Sequence, residues 1–171
     1  FPSDENVRKK KIRGIPLGNY FKWDPNKHTE MIIQSYQWKP KNTPFERTYR
    51  TMSNLDDRYE NGAHDLLKFI KFGYGRASDH ASKNIRTNYM TREEGIEMVK
   101  KYDHIVSSDL DYWLKYVGMK ESEFWEISDT FRDPKVWWIE DGKWYKENIW
   151  NEKCSFGKVR SNKTLWKKYI R

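Results

Sequence analysis

The feature that most constrains this chain is a glycine-broken turn between two helical patterns in its middle part. Leu66, Leu67 and Ile70 recur at helical spacing, which predicts a helix with one buried face. Gly73 and Gly75 follow, and glycine ends helices readily because it reaches positive φ at no steric cost. We therefore expect the helix to stop at these glycines and a second helix to begin close by.

Two further helix starts follow the turn. Ser78 or Asp79 can cap a short helix, because their side-chain oxygens can accept hydrogen bonds from its first amides. Thr91 and Glu94 have the spacing of a capping box, in which each side chain bonds the other's backbone amide. This pair predicts a helix over 92–102.

The remaining elements are predicted by local patterns. Apolar residues at positions i, i+3, i+4 and i+7 indicate amphipathic helices, and Asp-Gly between aromatic runs indicates a hairpin. In chain order, these patterns predict a strand at 12–20, a helix beginning at Asp24-Pro25, a loop at 38–50, helices over 109–117 and 121–131, and a hairpin near 136–146 that turns at Asp141-Gly142. Phe124, Ile127 and Phe131 form the apolar pattern of the last helix.

The net charge of the chain is +8, from 33 basic and 25 acidic residues, which favours an anionic partner. A single cysteine, Cys154, excludes an internal disulfide and a CxxC metal site. No apolar run approaches the ~18–20 residues of a membrane span, and no signal peptide opens the sequence. We expect a cytoplasmic protein with no metal site and no membrane partner.

The turn also concentrates groups that can bind an anion or move a proton. Arg76 and the first amides of the following helix could hold an anionic group, or Arg76 could pair with Asp79 or Glu93 inside the fold. His80 titrates near neutrality and, beside Asp79, could be a general base or simply a packing residue. Gly73-Tyr74-Gly75 is not a dinucleotide fingerprint, because a helix and not a strand precedes it.

Two neighbouring carboxylates, Asp56 and Asp57, form a second candidate group. They could bind a metal or orient a substrate hydroxyl. They could equally be the acids that the positive end of a helix dipole favours.

Several stretches together resemble one family. KFIKFGYGRASDHASKNIR (68–86) followed by MTREEGIEMVKKYD (90–103) is similar to the C-terminal part of the N-acetyl sugar amidotransferases. These are PP-loop ATP pyrophosphatases of surface-polysaccharide and nonulosonic-acid biosynthesis. The similarity extends over residues 12–145 and includes GNYFKWDPNKHTEMII (18–33), SNLDD (53–57) and EFWEISDTFRDPKVW (123–137).

The resemblance implies a mainly α, helical C-terminal region that follows the end of an α/β PP-loop domain, with a short β-hairpin. It implies three segments. Residues 1–24 would end the nucleotide-binding α/β domain, 25–135 would form a helical region that encloses the substrate, and 136–171 would form the hairpin and a basic tail.

The activity implied by the resemblance is the ATP-dependent conversion of an acetamido group to an acetamidino group on a nucleotide-linked sugar. ATP adenylates the acetamido oxygen, and ammonia from a separate glutaminase subunit then displaces AMP. In this scheme His80 and Asp79 are catalytic, and the substrate-binding residues are Lys71, Gly73, Gly75, Arg76, Arg86, Asp56 and Asp57.

PP-loop enzymes of this family hold ATP on an SGGxDS-type loop, and the sequence contains neither this loop nor the family's cysteine cluster. We therefore expect ATP with Mg to be bound mainly by an N-terminal part outside this sequence, and this chain alone to be inactive. Two other classes stay open. One is a basic nucleic-acid-binding module that uses the tail at 158–171, although the charges around the turn are mixed in sign. The other is a structural domain that docks on a partner such as the glutaminase.

Overall fold

The computed structural model of the protein describes residues 2–52 and 60–170. These residues form seven α-helices and one small antiparallel sheet, so the prediction of a mainly α protein is confirmed. The helices are α1 Asp4–Lys9, α2 Pro25–Tyr36, α3 Glu60–Phe72, α4 Arg76–Arg86, α5 Arg92–Tyr102, α6 Asp109–Val117 and α7 Glu121–Asp129. The strands are β1 Trp137–Glu140, β2 Lys143–Lys146 and β3 Ser155–Lys158, and 3-10 helices occupy Leu17–Asn19 and Lys163–Tyr169.

Two compact units make up the chain, Phe1–Lys39 and Pro40–Arg171. In the first unit, α2 begins where the sequence predicts. The Asp24 carboxylate caps it by accepting hydrogen bonds from the amides of Asn26 (3.1 Å) and Lys27 (3.3 Å). The division into three segments that the family resemblance implies stays a prediction.

The strand predicted at 12–20 is wrong. Residues Leu17–Asn19 form a short 3-10 helix instead, and none of the other residues in this stretch belongs to a strand. Pro16, which immediately precedes the 3-10 helix, has no amide N–H to donate to a sheet ladder.

In the second unit, α3 contributes residues to two hydrophobic clusters. The first cluster lies between α3, α6 and α7 and comprises Ala63, Leu66, Ile70, Leu110, Leu114 and Phe124. The second joins α3 to the sheet and comprises Phe69, Trp137, Ile139, Trp144 and Tyr169. The helix predicted from the apolar spacing is therefore confirmed, but α3 buries more than one face, since Phe69 turns toward the sheet.

The predicted hairpin is confirmed, with Asp141 and Gly142 at φ +48° and +69° in its turn. A third strand, β3, extends the sheet by pairing antiparallel with β2, and the hairpin pattern gave no sign of it. Trp137 and Trp144 are fully buried. The basic tail completes this cluster, because the Tyr169 ring meets Trp144 edge-on with ring centroids 4.9 Å apart.

Helix α7 is shorter than predicted and buries a different face. It ends at Asp129, and of the three apolar residues only Phe124 is buried, whereas Ile127 and Phe131 are 41% and 47% exposed. The buried Asp129 carboxylate explains the difference. It accepts hydrogen bonds from Arg132 Nε (3.2 Å) and the amide of Arg160 (2.7 Å), which turns this polar face inward.

Within the ranges that the structure describes, every helix is too short or too polar to cross a membrane.

Candidate functional site

The turn between α3 and α4 is built from two glycines with different roles. Gly73 has φ +76°, a left-handed conformation that ends α3 as expected. Gly75 has φ −120°, so the expectation that it too needs positive φ is wrong. Its requirement is space, because a Cβ at this position would lie 2.9 Å from Asp103 Oδ1. Helix α4 then begins at Arg76, ahead of the two predicted caps.

A carboxylate from the end of α5 caps α4. Asp103, 3% exposed, accepts hydrogen bonds from the amides of Gly75 (2.8 Å) and Ser78 (3.1 Å) and from Ser78 Oγ (2.6 Å). The sequence suggested that these amides could receive an anionic ligand. That interpretation is corrected, since the carboxylate of the chain's own Asp103 occupies this helix start and accepts from the amides of Gly75 and Ser78.

The opposite end of α5 matches its prediction. Thr91 Oγ1 accepts a hydrogen bond from the Glu94 amide (3.2 Å), and the Thr91 amide donates to Glu94 Oε2 (2.8 Å). The capping box is therefore confirmed. It fixes where α5 begins, and the length of α5 then carries Asp103 to the start of α4.

Arg76 pairs with neither of the two acids proposed from the sequence. Its guanidinium binds the Asp65 carboxylate in a fork, with Nε 3.0 and 3.1 Å from the two oxygens and Nη2 2.7 Å from Oδ1. Asp65 is buried, at 5% exposure. Arg76 Nη1 takes no part in this pair, so the residue can both anchor α4 to α3 and offer a donor to a ligand.

His80 and Asp79 do not act as a pair. The Asp79 carboxylate forms an ion pair with Lys68, whereas His80 Nδ1 lies 2.7 Å from Thr48 Oγ1. The physical reason is helix geometry, because consecutive residues point about 100° apart around the axis. The prediction that these two side chains work together at one site is therefore not supported by their placement.

The surroundings of His80 keep its imidazole neutral. Burial, reinforced by the positive charges of Arg50, Arg76 and Lys83, lowers the pKa of His80 to about 3. A neutral ring at physiological pH can donate or accept a hydrogen bond but is a weak proton acceptor. This environment favours a positioning or binding role over general base catalysis.

A polar cavity of about 120 Å³ opens beside this group. Arg47 and Thr48 of the loop, Asp65 of α3 and Arg76 and His80 of α4 line it. The other lining residues are Lys41, Phe45, Glu46, Met52, Asn61, Gly62, Ser107, Ser108 and Asp109.

Arg47 is the most buried cation of this cavity, at 2% exposure. Its Nη2 donates to the carbonyl oxygens of Asp65 (3.2 Å) and Asp103, which ties the loop to α3 and α5. Burial lowers its pKa to about 10, while the nearby Asp65 and Asp103 oppose that shift. The guanidinium therefore stays charged at neutral pH.

An apolar and basic groove of about 610 Å³ adjoins the cavity through Arg76. Lys68, Lys71 and His64 supply its polar groups, and Leu67, Phe72 and Phe131 supply its apolar wall. Of the residues predicted to bind substrate, Lys71 lies here.

The remaining candidates are dispersed. Arg86 is exposed at the last residue of α4, about 15 Å along the helix from Arg76 by the 1.5 Å rise per residue. Asp56 and Asp57 lie outside the described residues. Among those that are described, no three His, Cys, Asp or Glu side chains gather as metal ligands.

Sequence reasoning missed three residues that organise the site: Arg47, Asp65 and Asp103. Asp65 could have been recognised, since it lies four residues before Phe69 and is an acid on a helix face that is otherwise buried. Arg47 could not, because it lies in a loop without periodicity. In the sequence, Asp103 was recognised only as the residue that follows the helix predicted over 92–102.

The fold and site together define a small helical domain with a polar cavity. The chain matches the family model described as LPS biosynthesis protein WbpG-like, C-terminal domain, over residues 33–151. This range covers more than half of the chain, and the chain belongs to this family. The assignment to the C-terminal part of a lipopolysaccharide-biosynthesis protein is thereby confirmed. No curated protein matches the chain significantly.

Proposed function

We propose that this chain is the substrate-enclosing C-terminal region of an ATP-dependent amidotransferase that acts on a nucleotide-linked sugar in lipopolysaccharide biosynthesis. The observation that carries the proposal is the polar cavity. Two of its lining residues, Arg76 and His80, belong to the stretch on which the family resemblance rests.

In the proposed reaction, the acetamido oxygen attacks the α-phosphorus of ATP and pyrophosphate leaves. Ammonia from a glutaminase subunit adds to the activated carbon, and AMP departs with the original oxygen, which leaves an acetamidino group. ATP and Mg are assigned to a part of the enzyme outside this sequence. This chain contributes binding and the exclusion of water, which would otherwise hydrolyse the adenylated intermediate.

The two concave surfaces differ in size and suit different parts of the substrate. Sites for small molecules of this kind measure ~300–1,000 Å³, so a cavity of about 120 Å³ admits only one part of a nucleotide sugar. The adjoining groove, of about 610 Å³, offers Lys68 and Lys71 to phosphates and Phe72 to a base. We assign the nucleotide to the groove and the sugar to the cavity.

The position of the basic tail favours this proposal over a nucleic-acid-binding module. That alternative needs the tail's aromatic rings exposed as a stacking platform. Tyr169 is only 3% exposed, and its hydroxyl donates to the Arg132 carbonyl oxygen over 2.9 Å. Trp166 is half-buried, and its Nε1 donates to the Ser161 carbonyl oxygen (3.3 Å).

The test is Arg76→Lys in the complete gene product, supplied with ATP, ammonia and nucleotide sugar. Lysine keeps the charge but loses the fork, so we expect kcat/KM to fall by about tenfold or more, equal to roughly 1.4 kcal/mol. Mass spectrometry would follow the exchange of the acetamido oxygen for an NH group. The melting temperature should fall as well, because the Asp65 pair is weakened.

Arg132→Lys is the matched control, since Arg132 is likewise an arginine paired with an aspartate, Asp129, but lies outside the cavity. It should lower stability and leave kcat/KM near normal. Equal kcat/KM in all three proteins would remove Arg76 from the site. Failure of the wild-type protein to consume ATP and convert the acetamido group would reject the proposed function.

A further inference from the structure

Positive charge gathers at the end of the sheet where the hairpin turns. Lys143 begins β2 and Lys158 ends β3, and the antiparallel register places these two lysines directly opposite each other. Like charges in this position repel and destabilise a sheet. No acid among the residues that the structure describes forms an ion pair with either lysine. An anionic partner at this end of the sheet would relieve the repulsion.

The tail brings further cations to the same end of the sheet. The amide of Val159 donates to the Gly142 carbonyl oxygen over 2.9 Å, so the chain leaves β3 beside the hairpin turn. Trp166 returns to that turn, since a Cβ built on Gly142 would lie 3.9 Å from its ring. Lys163 Nζ lies 6.0 Å from the centre of the Trp166 ring. The tail therefore adds its charges to those of the two strands.

We call the exposed cations of this region the basic edge: Lys143, Lys158, Arg160, Lys163, Lys167 and Lys168. Nearby carboxylates do little to neutralise it. Glu140 is paired with Lys153, and Asp129 is buried and paired with Arg132. The exposed Asp141 of the turn is a single acid against six cations. The basic edge therefore presents a strong net positive charge to a partner.

The surroundings of these cations suit a lipid surface better than a nucleic acid. Proteins that bind single strands follow the backbone along a charged groove, and the basic edge lies outside both the cavity and the groove described above. Apolar side chains accompany the charges, because Ile170 is 66% exposed and Trp166 is half-buried. A bilayer surface receives both kinds of group, with lysines at the headgroups and apolar side chains at the acyl boundary.

We propose that the basic edge binds the surface of an anionic lipid bilayer. The expectation of no membrane partner was based on the lack of a long apolar run, which concerns spanning a bilayer and not lying on it. Each lysine or arginine near such a surface strengthens binding by about fivefold. The proposal goes beyond the amidotransferase function and does not depend on it.

The experiment sediments the chain with vesicles of phosphatidylglycerol and phosphatidylcholine in equal amounts, and with vesicles of phosphatidylcholine alone. We expect binding to the anionic vesicles only. Raising the salt concentration from about 0.1 M to about 1 M shortens the screening length from about 10 Å to about 3 Å, so this binding should be lost.

Lys143→Gln combined with Lys158→Gln tests the two opposed lysines. The double variant should bind anionic vesicles about 25-fold more weakly, at fivefold for each charge. Its melting temperature should stay the same or rise, because a repulsion is removed. Lys101→Gln combined with Lys115→Gln is the matched control, since it removes the same charge from exposed positions on α5 and α6, and it should weaken binding by less than about twofold.

Ile170→Ser separates a lipid surface from a nucleic acid. It should weaken vesicle binding by about threefold or more, because an apolar side chain no longer enters the acyl boundary, and it should leave binding to a random-sequence DNA duplex unchanged.

No binding to anionic vesicles, or equal losses in the two double variants, would overturn the proposal. So would unchanged vesicle binding in Ile170→Ser. Tighter binding of the DNA duplex than of anionic vesicles, compared per phosphate at the same salt concentration, would assign the basic edge to nucleic acid instead. A lower melting temperature of Lys143→Gln/Lys158→Gln with unchanged vesicle binding would assign these lysines to the fold.

Discussion

The cap that Asp103 provides to α4 gives the sharpest prediction about stability. Asp103→Asn keeps the size of the side chain but replaces one acceptor oxygen with an NH₂ group. That group cannot accept from Gly75 or Ser78, so one or two of the three hydrogen bonds are lost. Bonds to a charged acceptor contribute ~1.5–3 kcal/mol each, and we expect the free energy of unfolding to fall by about 2–4 kcal/mol.

Urea denaturation followed by circular dichroism would measure this loss, and the melting temperature should fall by about 5–15 °C. Glu97→Gln is the control, because it removes an exposed charge from the same helix and should change stability by less than about 0.5 kcal/mol. Ser78→Ala should cost about 1 kcal/mol alone. Combined with Asp103→Asn it should cost less than the sum, since both changes break the same contact.

A loss below about 0.5 kcal/mol in Asp103→Asn would refute this reasoning. Full additivity of the two changes would show instead that the Ser78 Oγ bond survives in Asp103→Asn and that only the bond from the Ser78 amide is lost.

Two further predictions concern His80 and the basic tail. Because the pKa of His80 is lowered when the chain folds, the unfolded state binds the extra proton and stability falls as pH drops from 6.5 toward 3. Between pH 6.5 and 5 the free energy of unfolding should fall by about 1.5 kcal/mol in wild type, and this loss should disappear in His80→Gln. If the variant's stability fell with pH as steeply as that of wild type, His80 would not be the group that causes the loss. Deleting residues 158–171 uncovers Trp144 and removes Tyr169, so the deletion variant should no longer unfold cooperatively at the wild-type melting temperature. Tyr169→Phe loses only the bond to Arg132 and should lower the free energy of unfolding by about 1 kcal/mol. A deletion variant with the wild-type melting temperature would show that the tail is not part of the core.

The helix and hairpin predictions succeeded where the signal was local. The capping box of Thr91 and Glu94, the positive φ of Gly73 and the Asp-Gly turn each depend on residues a few positions apart. The strand at 12–20 failed because apolar composition alone does not supply a neighbouring strand. Helix α7 was misjudged because Asp129 is buried by bonds to Arg132 and Arg160, which no periodicity encodes.

The candidate site was predicted less completely than the fold. Arg76 and His80 do line one cavity, and Lys71 lies in the groove beside it. Asp79 turns to Lys68 instead, because adjacent residues of a helix cannot face the same point. Whether any of these residues binds or converts substrate stays a prediction.

The sequence by itself determined the order and most of the bounds of the second unit's helices, the hairpin, and the family to which the chain belongs. Only the tertiary structure decided that Asp65 holds Arg76, that Asp103 caps α4 by bonding Gly75, 28 residues earlier, and that Arg47 lies over a cavity. The physical reason is the range of the interactions. Caps and turns are set by neighbouring residues, whereas Arg47 and Asp103 lie 56 positions apart and meet only when the helices between them have packed.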